Sequence, residues 1–179
     1  MRAVVVYESM YGNTRAVAEA IGEGLRSTYA VTVVPVARAG AELLDGATLL
    51  VVGGPTHAHG MSRPRSRQAA VETAAKPGST VSVEDGAADV GVREWLRSLG
   101  HLNLLGVAFD TRFKAPVAFT GRASNGITRE LGRHGVHLVA RPQSFFATRE
   151  NRLQTGEADR ARQWGAELAA ATSSAVAAW

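Results

Sequence analysis

The sequence predicts an α/β protein: a doubly wound, five-stranded parallel sheet with strand order 2-1-3-4-5. Three observations predict it. Strand-like and helix-like segments alternate five times along the 179 residues, which gives an open parallel sheet with helices on both faces and right-handed crossovers. Residues 4–7 and 48–52 are continuous apolar runs without polar alternation, the pattern of strands buried on both faces. Between the first run and the helical pattern after it lies a short polar turn, Ser9-Met10-Tyr11-Gly12-Asn13-Thr14.

The first helix is expected over residues 13–28, with Val17, Ala18, Ile21 and Leu25 at 3.6-residue spacing. Gly22 and Gly24 lie inside it. Each weakens a helix by about 1 kcal/mol relative to Ala, and close approach to the sheet would account for them. The second strand, residues 30–36, is rich in β-branched residues, 41–44 is a short helical piece, and Asp45-Gly46 signals a turn. The third strand, 48–52, runs into Gly53-Gly54-Pro55-Thr56-His57-Ala58-His59-Gly60. A buried strand ending in such a loop is where α/β proteins place binding groups.

A helix follows over residues 63–71, with Pro64 in its first turn, until Lys76-Pro77-Gly78 breaks it. Residues 78–91 have no period and read as an irregular excursion, of a length that is uncommon and often functional or mobile. Residues 92–99 return to helix, with Trp95, Leu96 and Leu99 on one side. The fourth strand, 106–109, leads to the loop Asp110-Thr111-Arg112-Phe113. Residues 124–134 are helical. A fifth strand starts at 137–139, is interrupted by Pro142 and resumes at 144–146. The closing helix spans 157–171, with Ala161, Trp164, Leu168 and Ala171 inward. The length suggests one domain over residues 1–179. In the 2-1-3-4-5 order the switch point falls between strands 1 and 3, so the loops 9–14 and 55–60 flank one crevice.

Composition narrows the function classes. The chain is 45% hydrophobic and 20% charged, the balance of an ordinary globular protein, and it has no cysteine. That excludes disulfides, thiolate catalysis and Cys-based metal sites, and fits a reducing compartment. The N-terminus enters a strand directly, and no apolar run approaches the roughly 18 residues needed to span a bilayer; the cytoplasm is the expected location. The formal charge is +4, with only Lys76 and Lys114 as lysines. No basic run is interleaved with aromatics, so nucleic acid is not an expected partner.

The turn after the first strand can point several backbone N–H groups, with the hydroxyls of Ser9 and Thr14, at one spot by the positive end of a helix, where a phosphate fits. The other reading is an ordinary βα turn in which Asn13 or Thr14 merely caps the helix. It is neither a Walker A loop nor a dinucleotide fingerprint, since both glycine patterns are missing.

The pattern as a whole resembles the FMN-phosphate loop of the flavodoxins: an apolar pair, an aromatic, any residue, Ser, two residues, Gly, any residue, then Thr. The likeness extends end to end. Residues 54–60 are similar to the loop that covers one side of the flavin ring, and residues 110–113 sit where the second ring loop is expected. The resemblance implies FMN as cofactor. It implies phosphate contacts from Ser9, Met10, Tyr11, Gly12, Asn13 and Thr14. The ring would meet Pro55, Thr56, His57, Ala58, His59 and Gly60 on one side and Asp110, Thr111, Arg112 and Phe113 on the other. Flavodoxins usually sandwich the ring between aromatics; here the candidates are His57, Met61 and Phe113. Electron-carrying flavodoxins are typically acidic, whereas this chain is basic.

His57-x-His59 is also a metal-pair spacing, but no cysteine exists and no carboxylate lies close in sequence. Arg63, Arg65 and Arg67 alternate beyond the flavin loop, either to attract a phosphorylated nicotinamide or an acidic partner, or as a solvated face. The functional expectation is an FMN-binding redox protein, either an electron carrier or a small oxidoreductase acting on quinone-like or porphyrin-like substrates. A nicotinamide donor or a redox partner protein would supply it. The other class is a flavodoxin-fold binding or regulatory module without flavin chemistry.

Overall fold

The computed structural model describes residues 1–57, 59–79 and 81–176, the side chains of 174–176 aside. Its centre is a parallel sheet. β1 (Arg2–Tyr7) pairs with β2 (Ala30–Pro35) on one side and with β3 (Leu49–His57) on the other. β4 (Gly60–Met61) is a short antiparallel partner of β3. β5 (Leu105–Phe113) pairs with β3, and its outer edge is filled by two short strands in succession, β6 (His137–Leu138) and β7 (Gln143–Ala147). Setting the short β4 aside and counting β6 and β7 as one interrupted strand, the five strands stand in the predicted order 2-1-3-4-5. Two strand residues join β6 to β5 and five join β7 to it, and Pro142 lies in the gap, where it cannot donate to the ladder.

The apolar runs are buried on both faces, as their lack of alternation requires: Val4, Val5, Val6, Leu50, Val51 and Val52 are all inaccessible. On one face α1 (Asn13–Leu25) and α6 (Glu157–Val176) cover Val5, Val51, Val107 and Phe109. On the other, α3 (Val92–Ser98) and α5 (Ala123–Arg133) cover Val4, Val6, Leu50 and Val52. α2 (Pro64–Ala74) contributes Ala70 to a smaller cluster with Met10 and Ala87. α4 (Val117–Thr120) is a single turn that the sequence did not announce. α6 runs beyond the expected residue 171, and Thr172 is buried, accepting a 2.6 Å hydrogen bond from the Tyr29 hydroxyl.

Two expected loops are strand instead. β3 continues through Gly53-Gly54-Pro55-Thr56 to His57, because its partner β5 is equally long and pairs with it as far as Pro55 and Thr111. Gly53 is no breaker here. A Cβ at that position would lie 2.0 Å from the Phe109 ring, so the glycine makes room for the largest side chain on the neighbouring strand. Asp110, Thr111, Arg112 and Phe113 extend β5 and pair with Ser144, Phe145, Phe146 and Ala147. Their polar character, which reads as loop, reflects bonds made at the strand end.

Among the described residues of 78–91 none is in a helix or strand, as the lack of period predicts. The segment is nevertheless tied down: the Glu84 amide donates to the Met10 carbonyl at 2.9 Å, and Arg15 pairs with the Glu84 carboxylate at 3.0 Å.

Candidate cofactor site

Ser9 to Thr14 leave the C-terminal end of β1 as a tight turn. Gly12 has φ of +86°, a left-handed conformation that residues with a Cβ adopt at a cost. Its amide donates to the Ser9 hydroxyl oxygen at 3.1 Å. That bond uses an acceptor lone pair of Ser9 and leaves its O–H free to donate. The Gly12 carbonyl accepts from the Ala16 amide and so starts α1. The amides at the first turn of α1 have no intrahelical partner, by helix geometry. No acidic residue stands in that first turn, so nothing competes for the positive helix end.

Thr14 is buried, and its hydroxyl lies 2.7 Å from that of Thr111 on β5. One of the two hydroxyls donates to the other, so one O–H proton of the pair remains available. Asn13 donates from its side-chain amide to the Asn151 carbonyl at 3.0 Å. These contacts tie the turn after β1 to β5 and to the loop after β7.

The turn opens on a cavity of about 310 Å³ at the carboxyl ends of β1, β3 and β5. It brings together Met10, Tyr11, Asn13 and Thr14 from the first turn, Pro55, Thr56 and His57 from β3, and Thr111, Arg112 and Phe113 from β5. Ala147 and Asn151 complete the lining. Sequence reasoning missed both; the signal was the polar stretch Thr148-Arg149-Glu150-Asn151 following the last strand, another carboxyl-end loop. Ser9 lies on the other side of the turn, lining a cavity of about 750 Å³ under residues 82–90. His59 and Gly60 line a third depression, and Ala58 falls outside the described residues. Asp110 is fully buried and accepts from the Ser124 amide at 2.8 Å. It caps α5, and does not line the 310 Å³ cavity.

One wall of the cavity is a hairpin. Thr56 pairs with Met61 and His57 with Gly60, and His59 between them has φ of +75°, as tight hairpins require. The His59 carbonyl packs against Gly121, where a Cβ would come within 2.1 Å of it, so the hairpin and the segment after α4 abut. Arg112 is buried and donates from Nη1 to the carbonyls of Phe113 and Ala115 and to the Thr120 hydroxyl, at 2.9–3.2 Å. It therefore shapes the segment beyond β5. Phe113 is 47% exposed at the cavity mouth.

Behind this wall lies a buried charge network. Glu8 accepts from the Val92 amide at 2.8 Å, and its other carboxylate oxygen has no partner among the described residues. Arg67 is buried, donates to the Ser62 hydroxyl at 2.9 Å and pairs with Glu94 at 3.1 Å. Arg67 is thus no part of a solvated face, unlike Arg63 and Arg65. Burial pushes the Glu8 carboxyl up, against the opposing effects of Ser62, the Val92 amide and Arg67. Burial, aided by the Arg67 charge, pushes His57 down, towards the neutral imidazole. Among the described residues no three His, Cys, Asp or Glu side chains form a metal cluster.

The first-turn amides of α1, with no acidic residue among them, and the hydroxyls of Ser9 and Thr14 are donors of the kind a phosphomonoester takes, while the 750 Å³ cavity on the Ser9 side is also lined by Glu8, Glu84, Asp85 and Asp89. Residues 5–84, which carry the first strands and the turn 9–14, match the family model described as flavodoxin. No curated protein matches the chain. Among solved structures, a flavodoxin from the domain Archaea is 21% identical, with a TM-score of 0.65 over 94% of this chain and 96% of that one. Oxidised flavodoxin 1 from Bacillus cereus is 18% identical, with a TM-score of 0.64 over 93% and 96%. The rubredoxin oxygen:oxidoreductase of Desulfovibrio gigas is 16% identical at a TM-score of 0.61; 98% of this chain aligns with 37% of it. At these identities the likeness is one of fold.

Proposed function

From the premise that this chain is a flavodoxin-like protein, we propose that it binds FMN and works as a redox protein. The phosphate is held by residues 9–14 and the ring by the ends of β3 and β5. One observation carries the reading. The loop that sequence marks for a phosphate and the cavity that topology places at the switch point meet at Thr14, whose hydroxyl touches Thr111 from the far wall. FMN supplies reversible electron transfer, and the protein supplies binding and the tuning of potential.

The chain's own residues have definable tasks. Gly12 holds the turn in its left-handed form, Ser9 and Thr14 offer hydroxyl protons, and the first amides of α1 complete an anion cradle. Pro55, Thr56 and His57 form one wall of the cavity and Phe113 stands at its mouth. A neutral His57 can donate or accept at the ring edge without adding charge.

Within this reading we favour a small oxidoreductase acting on quinone-like or porphyrin-like substrates, reduced by a nicotinamide donor, over an electron carrier. The net charge of +4 is the wrong sign for a typical carrier, and the ring walls are less aromatic than a carrier's. No helix among the described residues is long and apolar enough to cross a membrane, and the cytoplasm is the proposed location.

The test is a flavin titration followed by anaerobic mixing with reduced nicotinamide dinucleotides. FMN binding that Thr14→Val weakens, with bleaching of the flavin by the nicotinamide alone, is the expected result. Binding unchanged in Thr14→Val overturns the cofactor assignment. Tight binding with reduction only through an added reductase makes the protein a carrier.

A further inference from the structure

A second cavity of about 460 Å³ lies behind the ring-side wall, lined by His57, His59, Gly60, Met61, Arg63, Ser66 and Arg93. It shares His57 with the 310 Å³ cofactor cavity. Two arginines, two histidines and a serine line it, and among the described residues no carboxylate does. Its chemistry is therefore that of an anion site, placed one side chain away from where the flavin ring is proposed.

Arg93 is the built part of the site. Its Nε donates to the Ser62 carbonyl at 3.0 Å and one Nη donates to the Met61 carbonyl at 2.8 Å. Both acceptors are neutral, so the guanidinium is oriented by bonds that leave it without an ion-pair partner among the described residues. The carboxylates nearest to it are committed elsewhere: Glu94 to Arg67 at 3.1 Å, and Glu130 to Arg133 at 2.8 Å. Arg63, Arg93 and Arg97 make no ion pair among the described residues. Burial first, then the like charges of Arg63 and Arg97, brings Arg93 below the usual guanidinium range, against the weaker opposing effects of Glu94 and Glu130. A surface that served only solubility would intersperse the signs.

We propose that this cavity is an oxyanion subsite, holding the carboxylate or phosphate of the small molecule that exchanges electrons with the flavin. Arg93 is its fixed cation and Arg63 its mobile one. The subsite rests on the proposed redox reading for its purpose, since His57 lines both this cavity and the proposed ring cavity. Oriented guanidinium donors recognise planar oxyanions with two parallel bonds. A redox substrate with an anionic arm would thereby be held with its reactive part against the ring edge.

The experiment reads binding directly and does not require flavin turnover. The full-length protein, with and without FMN, is titrated by calorimetry with inorganic pyrophosphate and with a naphthoquinone carboxylate, the parent neutral naphthoquinone serving as control. Saturable binding of one or both anions at a single site is expected, weakening about tenfold or more in Arg93→Gln and in Arg63→Gln and with added salt. The tighter of the two anions tells whether the natural arm is a phosphate or a carboxylate. Because Arg93 also holds the hairpin carbonyls, Arg63→Gln is the arm that separates lost recognition from lost structure. Equal affinity of wild type and Arg63→Gln for both anions overturns the subsite. Anion binding in a protein that takes no FMN keeps the subsite and overturns the redox reading, so the two failures are distinguishable.

Discussion

Thr14 and Thr111, 97 positions apart, share a buried 2.7 Å hydrogen bond between their hydroxyls. It joins the first residues of α1 to β5 across the end of β3, and so fixes the width of the cavity in which the phosphate is proposed to sit. The pair has one proton to spare, and that proton is what an anion would take. Thr14→Val removes it at the loop, and should weaken FMN about ten- to hundredfold, the worth of a hydrogen bond to a charged group. Thr111→Val leaves the loop hydroxyl in place and should weaken FMN less, while each variant costs about 1 kcal/mol of stability. Fluorescence quenching of FMN and urea denaturation give the two numbers. Equal loss of affinity in both variants would mean that the pair acts only by holding the walls together.

Gly12 offers a test of backbone conformation free of crowding. A Cβ there meets nothing closer than 3.9 Å, but φ is +86°. Gly12→Ala should therefore cost about 1–2 kcal/mol from the left-handed backbone alone, and FMN affinity should fall because the loop relaxes away from its cradle. Gly12→Asn, which tolerates this region better, should recover much of both. Affinity that follows side-chain size instead, worst for Asn, would show that space rather than conformation is limiting.

The sheet order and the tight turn between β1 and α1 were legible in the sequence, because buried parallel strands leave unbroken apolar runs and the turn carries hydroxyls and glycine at fixed spacing. The strand ends were not. Gly53 and Gly54 read as breakers, yet Gly53 lies within β3 because Phe109 occupies the space above it, a contact between strands that no local pattern encodes. Asp110 read as a ring loop, yet it is a buried cap for α5, fourteen residues further on. Arg67 looked like one of three alternating surface arginines, and is buried with Glu94 and Ser62. Each of these depends on a partner from another element, which sequence spacing does not carry.

Two helix glycines, Gly24 in α1 and Gly132 in α5, separate helix propensity from packing. Gly24 faces α6 so closely that a Cβ would lie 2.1 Å from the Arg162 carbonyl oxygen and 2.7 Å from the Ala166 amide. Those are backbone atoms and cannot swing aside. Gly24→Ala gains about 1 kcal/mol of helix propensity, but overpacking against fixed atoms costs more, so a net loss of about 2 kcal/mol is expected. Gly132, in α5, has nothing within 4 Å of the added methyl, and Gly132→Ala should stabilise by up to about 1 kcal/mol. Urea midpoints measure both. Stabilisation by Gly24→Ala would show that α1 and α6 can separate.

Glu8 sets a pH dependence whose sign can be worked out. Its carboxyl is pushed up, first by burial, which outweighs the Val92 amide, Ser62 and Arg67. In the unfolded chain it titrates in the ordinary carboxylate range, near 4.3. Between that pH and the higher folded value, the native state holds the proton and the unfolded state does not. The native state then binds more protons, and stability falls as pH rises through the window. Below the window the residue is neutral in both states and contributes no slope. Glu8→Gln cannot lose a proton and keeps an acceptor for the Val92 amide. Its stability relative to wild type should therefore improve steadily from pH 4 to the folded value, then level off. Paired urea titrations across pH 4 to 8 measure the difference. A Glu8→Gln disadvantage that grows with pH would mean that Arg67, buried beside it, holds the carboxylate charged and that attraction wins over desolvation.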